Sequence, residues 1–239
     1  MFAALANPHR FMAFSRWAAP LCGVIALALI VPGLWLGLTA PPDYQQGTTV
    51  RIMFIHVPAA WTSMFAYACL GGASFFSLVF RHALADAAAK AAAPLGAAFT
   101  LLALVTGSLW GRPEWGAWWV WDARLTSVLV LFLLFLGYMA LRSAIDDETK
   151  GARNAAILAL VGLINLPVIE FSVDWWNSLH QGESILRPGG PAIAPVFLIP
   201  LLLMGAGYLF AFGALWQVRT RAEVYRRRAI SLEAQLALA

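Results

Sequence analysis

The sequence predicts an all-α integral membrane protein of six transmembrane helices, and three observations carry the prediction. Of its 239 residues 61% are hydrophobic and only 12% charged, with a mean hydropathy of +0.74; a soluble domain carries about twice that share of charge, so lipid must be the main solvent. Six apolar segments approach the length, about 20 residues, at which a helix crosses the hydrocarbon core with every backbone polar group satisfied internally. Lys and Arg fall at alternate ends of those segments, as membrane topology requires.

The first span, 17–39, follows Asn7-Pro-His-Arg10 with no small-residue cleavage site, so it reads as a retained anchor. The others are expected at 57–80, 93–110, 125–141, 155–173 and 191–216. Residues 217–239 form a basic tail that becomes Ala/Leu-rich, a topological anchor with scope to prolong the last helix. Connections are short enough that one membrane domain covers 1–239. Twelve of the sixteen basic residues lie on one side: Arg10, Arg16, Arg81, Lys90, Arg142, Lys150, Arg153, Arg219, Arg221, Arg226, Arg227 and Arg228. That side is expected to be cytoplasmic, with both termini on it, and loops 40–56, 111–124 and 174–190 external, which in a bacterium means periplasmic. The net charge of +4 follows from this topology and does not point to nucleic acid. The cytoplasmic loops hold no glycine-rich phosphate loop, so the chain has no nucleotide site of its own. Cys22 and Cys69 lie inside apolar segments without C-x-x-C spacing and read as packing residues.

The external loops hold the informative residues. Trp110-Gly-Arg-Pro-Glu-Trp-Gly-Ala-Trp-Trp-Val-Trp-Asp122 contains five tryptophans and is too interrupted by Gly and Pro to span a membrane. With Pro113 in a first turn, a short interfacial helix is expected after it, placing Trp115, Trp118, Trp119 and Asp122 along one face. Tryptophan also forms aromatic belts at membrane surfaces; the density here favours a flat surface for a large planar apolar ligand.

His56 and His180 are read at external helix boundaries, before the second span and after the fifth. His9 and His82 lie on the basic side and read as solvated. Paired neutral imidazoles are the usual axial ligands of a six-coordinate haem iron, although each alone also suits a hydrogen-bonded interfacial role. Zinc is disfavoured, since the external loops offer no cysteine and no close His/Asp/Glu cluster. Haem propionates are best met by guanidinium groups, for which Arg51, Arg112, Arg124 and Arg187 are candidates. Each of these equally suits headgroup contact, and Arg124 has Asp122 or Glu114 as alternative partners.

The run from Trp110 through Asp122-Ala-Arg-Leu-Thr-Ser127 resembles the signature of the tryptophan-rich "WWD" family of haem-handling proteins. Together with Pro42-Asp-Tyr-Gln-Gln46, Ile55-His-Val-Pro-Ala59, Asp174-Trp-Trp-Asn-Ser-Leu-His-Gln181 and the six-span length, it is similar over nearly the whole chain to the haem exporter protein C (CcmC) family of bacterial cytochrome c maturation. The resemblance implies that His56 and His180 ligate the iron of a non-covalent, exchangeable haem b. It implies a platform of Trp110, Trp115, Trp118, Trp119 and Trp121, with Asp122, Arg51, Arg112 and Arg124 beside it. It also implies an inner-membrane ABC-type complex with CcmA, CcmB and CcmD, which hands haem to the periplasmic chaperone CcmE.

The function expected is therefore haem binding and presentation, not enzymatic turnover. Two alternatives remain at this stage. A cytochrome b-type electron-transfer subunit would also pair histidines, usually both within membrane-embedded helices. A transporter conducting haem through the bundle needs polar groups along the interior, where Asn165 stands nearly alone. Glu170, near the external end of the fifth span, has no assigned role.

Overall fold

The computed structural model describes residues 7–180, 182, 184–185 and 188–238. Arg187, one of the candidate arginines, lies outside the described residues. Among them the chain forms seven α-helices and no strand: α1 (Pro8–Leu38), α2 (Met53–Phe80), α3 (Ala83–Trp115), α4 (Ala123–Ala144), α5 (Glu148–Gly162), α6 (Asn165–Trp175) and α7 (Pro195–Leu236). Because α5 and α6 together make one crossing, six segments are long and apolar enough to span a membrane, and the protein is an all-α integral membrane protein.

Local chemistry sets the helix starts. The side chains of Asn7, His82, Asp122 and Asp147 accept hydrogen bonds from the first-turn amides of α1, α3, α4 and α5 respectively, replacing partners those amides lack within the helix. Most helices exceed the span expected from hydropathy, since capped turns continue into the headgroup region where polar residues are tolerated. The tail is the clearest case: α7 continues without a break to Leu236.

Two expectations about helix placement are corrected. The fifth span is interrupted at Leu163 and Ile164. Gly162 abuts the Tyr67 hydroxyl so closely that a Cβ there would overlap it, Pro167 supplies no amide proton, and Asn165 Nδ2 donates to the Ser127 carbonyl at 2.9 Å. Asn165 thus binds backbone across the gap to α4. The second span begins earlier than expected: a 3-10 turn, Thr48–Ile52, leads straight into α2, drawn inward by the buried Val50 and Phe54. His56 therefore lies in the first turns of a membrane helix and does not precede it.

The core gathers Tyr67 and Leu70 of α2, Ala92 and Ala93 of α3, Phe135 and Tyr138 of α4, Ala159 of α5 and Phe212 of α7. Small residues on α3 permit this closeness; at Gly96 a Cβ would sit 2.1 Å from the Phe135 ring. Outside this core α1 packs along α7, and its Trp17, Val24 and Val31 face outward, as a helix solvated by lipid should.

The basic end of the bundle is tied by ion pairs linking α3, α4, α5 and α7. Asp86 pairs with Arg142 and Arg227; Glu223 pairs with Lys90, Arg226 and Arg227; Glu148 reaches Lys90, Arg142 and Arg226.

Candidate functional site

The opposite end, where α2 and α4 begin and α3 and α6 finish, collects the tryptophans of residues 110–121 together with His56 and His180. The α3 helix passes through Pro113 and stops after Trp115, where Gly116 adopts φ +76° and its amide bonds back to the Arg112 carbonyl. Residues 116–122 are irregular. The expected interfacial helix after Pro113 is therefore absent, because proline cannot donate within the turn and the glycine supplies a left-handed cap. Trp115, Trp118, Trp119 and Asp122 do not share one helix face.

The strap does a different job. Trp110 and Trp115 project from the last turns of α3. Trp110 meets His56 edge-on, ring centroids 5.7 Å apart, and Trp115 meets His180 edge-on at 5.1 Å. Five residues of helix rise about 7.5 Å, so α3 brings the two imidazoles to neighbouring levels at one end of the bundle. Trp119 packs edge-on against Trp121 at 5.5 Å, while Trp121 and Trp118 stand 75% and 56% exposed.

The polar neighbours of each imidazole gather at one nitrogen, closely for His56 and more loosely for His180, whose Nδ1 is 3.5 Å from Ser178 Oγ. His56 Nδ1 lies 3.0 Å from the Ala103 carbonyl and 3.2 Å from Thr106 Oγ1. A carbonyl only accepts, so the ring proton belongs on Nδ1 and Nε2 keeps its lone pair. The ring passes over Gly107, where a Cβ would stand 2.8 Å from its Cε1. His180 Nδ1 lies 3.6 Å from Asp122 Oδ2. That same oxygen accepts from the Ser178 hydroxyl and the Leu179 amide, while Oδ1 caps α4 through the Leu125 amide. Asp122, 7% exposed, thus joins the 178–180 loop to the start of α4.

Burial pushes the Asp122 carboxyl up, but hydrogen bonds from Ser178, Leu125 and Leu179 and the nearby His180 outweigh it and hold it below the ordinary carboxylate value. For His180, burial lowers the pKa, helped by Arg124, and exceeds the opposing pull of Asp122. A neutral imidazole beside an ionised carboxylate results, the pairing that orients metal-binding histidines.

The described arginines are partly committed to backbone. Arg51 donates Nε and Nη2 to the Ala40 carbonyl. Arg112 donates to the Gly116 carbonyl and lies over the Trp118 ring at 5.9 Å. Arg124 donates to Ser172 Oγ and the Glu170 carbonyl, so neither alternative partner proposed for it, Asp122 or Glu114, is used; Glu114 accepts from Thr49 instead. Glu170 contributes that carbonyl, and the residue is exposed. Buried indole N–H groups of Trp110 and Trp119 meet no acceptor, a state costing about 1–3 kcal/mol per group. Beside the strap a cavity of about 700 Å³ opens between α4 and α6, lined in part by Trp121, Asp122, Asn165 and Trp176.

Sequence reasoning missed Gly107, Thr106 and Ser178. Ser178 had a signal, two residues before His180; the others act across helices and had none.

The family model for CcmC, heme exporter protein C, matches residues 1–235. The heme exporter protein C of Bradyrhizobium diazoefficiens is 57% identical over 229 residues, covering 96% of this chain and 87% of the relative. Its Escherichia coli K12 namesake is 45% identical over 218 residues, covering 91% and 88%. A putative cytochrome c biosynthesis ccmC-like mitochondrial protein of Marchantia polymorpha is 43% identical, covering 92% and 94%. With a matching family model that leaves out only the last four residues, and such identity along the chain, this protein belongs to the heme exporter protein C (CcmC) family.

Proposed function

We propose that the chain binds haem at the tryptophan end of the bundle and presents it to the periplasmic chaperone CcmE for c-type cytochrome biogenesis. The observation that carries this reading is the placement of two imidazoles at the same end of the molecule, each with its polar neighbours on Nδ1, which leaves Nε2 to meet iron. Haem is the cargo, a non-covalent and exchangeable haem b. His56 and His180 are its axial ligands. Trp110, Trp115, Trp118, Trp119 and Trp121 wall it. Arg51, Arg112 and Arg124 retain N–H groups for the propionates beyond those given to backbone. Asp122 positions His180 and stays off the iron.

The chain works without a nucleotide site, as the haem-handling subunit of an ABC-type complex with CcmA, CcmB and CcmD. It sits in the bacterial inner membrane with both termini cytoplasmic and the haem end periplasmic, following its basic-residue asymmetry. The test is the visible spectrum of the purified chain. His56→Ala with His180→Ala should abolish low-spin haem, and an unchanged spectrum in the folded double variant overturns the ligand assignment.

One observation favours a second reading. His56 lies within a membrane helix, as electron-transfer cytochromes b place their ligands. Adding apo-CcmE distinguishes them, since presented haem leaves the chain and a permanent redox centre stays.

A further inference from the structure

At the end of the bundle remote from the tryptophans, a second cavity of about 240 Å³ lies between α3 and α7. Its walls are Lys90 and Ala91 of α3 and Arg219, Ala222, Glu223 and Arg226 of α7. The α7 residues recur at helical spacing on one face, with the small Ala222 leaving room beside Ala91. We propose that this cavity holds the phosphodiester headgroup of an anionic phospholipid from the leaflet on the tail side.

Depth, charge and pre-organisation support the assignment. Trp216, whose indole N–H donates to the Ala88 carbonyl at 2.7 Å, stacks on Phe212 at the end of the apolar core. Arg219 follows one turn later, where the apolar run of α7 gives way to basic residues. In the neighbouring ion-pair network four cations, Lys90, Arg142, Arg226 and Arg227, face three carboxylates, Asp86, Glu148 and Glu223. Arg219 stands outside these pairings and makes no ion pair among the described residues, so the positive excess gathers at the cavity. Glu223 opposes an anion, but it also holds Lys90 at 3.2 Å and Arg226 at 2.7 Å, fixing two cations in the walls before any ligand arrives. Basic pockets between membrane helices at this depth suit acidic headgroups.

The intact chain in mixed micelles, titrated with phosphatidylglycerol while its thermal midpoint is followed, tests the proposal. Arg219→Gln, which breaks no contact, should weaken the lipid's stabilising effect about fivefold, the contribution of one arginine near an anionic surface. Ala222→Leu, which fills the cavity without altering charge, should weaken it as well. Arg228→Gln, exposed and outside the cavity, should leave it unchanged. An equal effect of Arg228→Gln, no effect of either cavity variant, or equal stabilisation by phosphatidylcholine overturns the proposal. Displacement by inorganic phosphate at matched ionic strength overturns the lipid assignment in favour of a soluble phosphate ligand.

Discussion

At the scale of single residues, two contacts decide whether an imidazole is aimed. Gly107 is required by proximity, because a methyl there would press on His56 Cε1 at 2.8 Å. Gly107→Ala should therefore tilt the ring off its Ala103 and Thr106 acceptors and weaken haem binding by about 10- to 100-fold, read by haem titration, with little change in folded yield. Asp122→Asn separates capping from aiming. Asparagine caps a helix as well as aspartate, so α4 should hold, while the charge orienting His180 is lost and haem affinity falls by a similar factor. The pH dependence has a definite sign. His180 is depressed below its ordinary 6.5 by burial, with Asp122 pulling the other way. Its neutral, ligating form therefore persists through neutral pH, and haem should be lost only as the pH falls past a point below 6.5. Removing the Asp122 charge removes the upward pull, so in haem-free Asp122→Asn the His180 imidazole should titrate lower still. An NMR pH titration of His180 in both haem-free proteins checks this; a value moving upward contradicts the assigned interaction.

At the scale of elements, legibility followed the range of the interactions. The six crossings were readable because burial in lipid imposes a long apolar run that composition cannot hide. The tryptophans, His56 and His180 stand out in the sequence because their chemistry is unusual wherever it occurs, and the fold gathers them at one end of the bundle. The shape of the strap was not: Pro113 was read as opening a helix, whereas α3 carries it in its last turns and ends at Gly116. Nor was the break in the fifth span, which depends on Gly162 meeting Tyr67 and on Asn165 meeting the Ser127 carbonyl, both across helices. That break yields a prediction. The Tyr67 hydroxyl is buried without a partner, and a Cβ on Gly162 would lie 1.9 Å from it. Gly162→Ala should cost about 1–3 kcal/mol through overpacking, whereas Tyr67→Phe, which removes an unsatisfied group, should be neutral or stabilising. Combining them should recover most of the loss in thermal or denaturant unfolding. Strict additivity would show that the hydroxyl is not what Gly162 accommodates.

At the scale of the whole molecule, the bundle has two ends with separate duties, the aromatic end carrying the candidate site and the basic end holding helices together. The basic end is strongly coupled because its central pair is withdrawn from solvent: the Arg142 side chain is 5% exposed and that of Asp86 12%. Breaking a buried pair leaves an uncompensated charge, and the penalty is about 3–5 kcal/mol. Asp86→Asn leaves Arg142 with only Glu148, at 4.0 Å, and Arg227 with Glu223, so it should lower the unfolding midpoint, and added salt should barely mimic the effect because buried charges are poorly screened. Pairing it with Arg142→Gln removes the more weakly paired cation and should recover part of the loss. Haem affinity of the fraction that remains folded should match the unaltered protein, since α3 joins the ends but no polar contact of the network reaches His56 or His180. Should Asp86→Asn instead reduce haem affinity in fully folded protein, α3 would be transmitting strain along its length, and the two ends would form one coupled unit through which events at the tail could control release of the cargo.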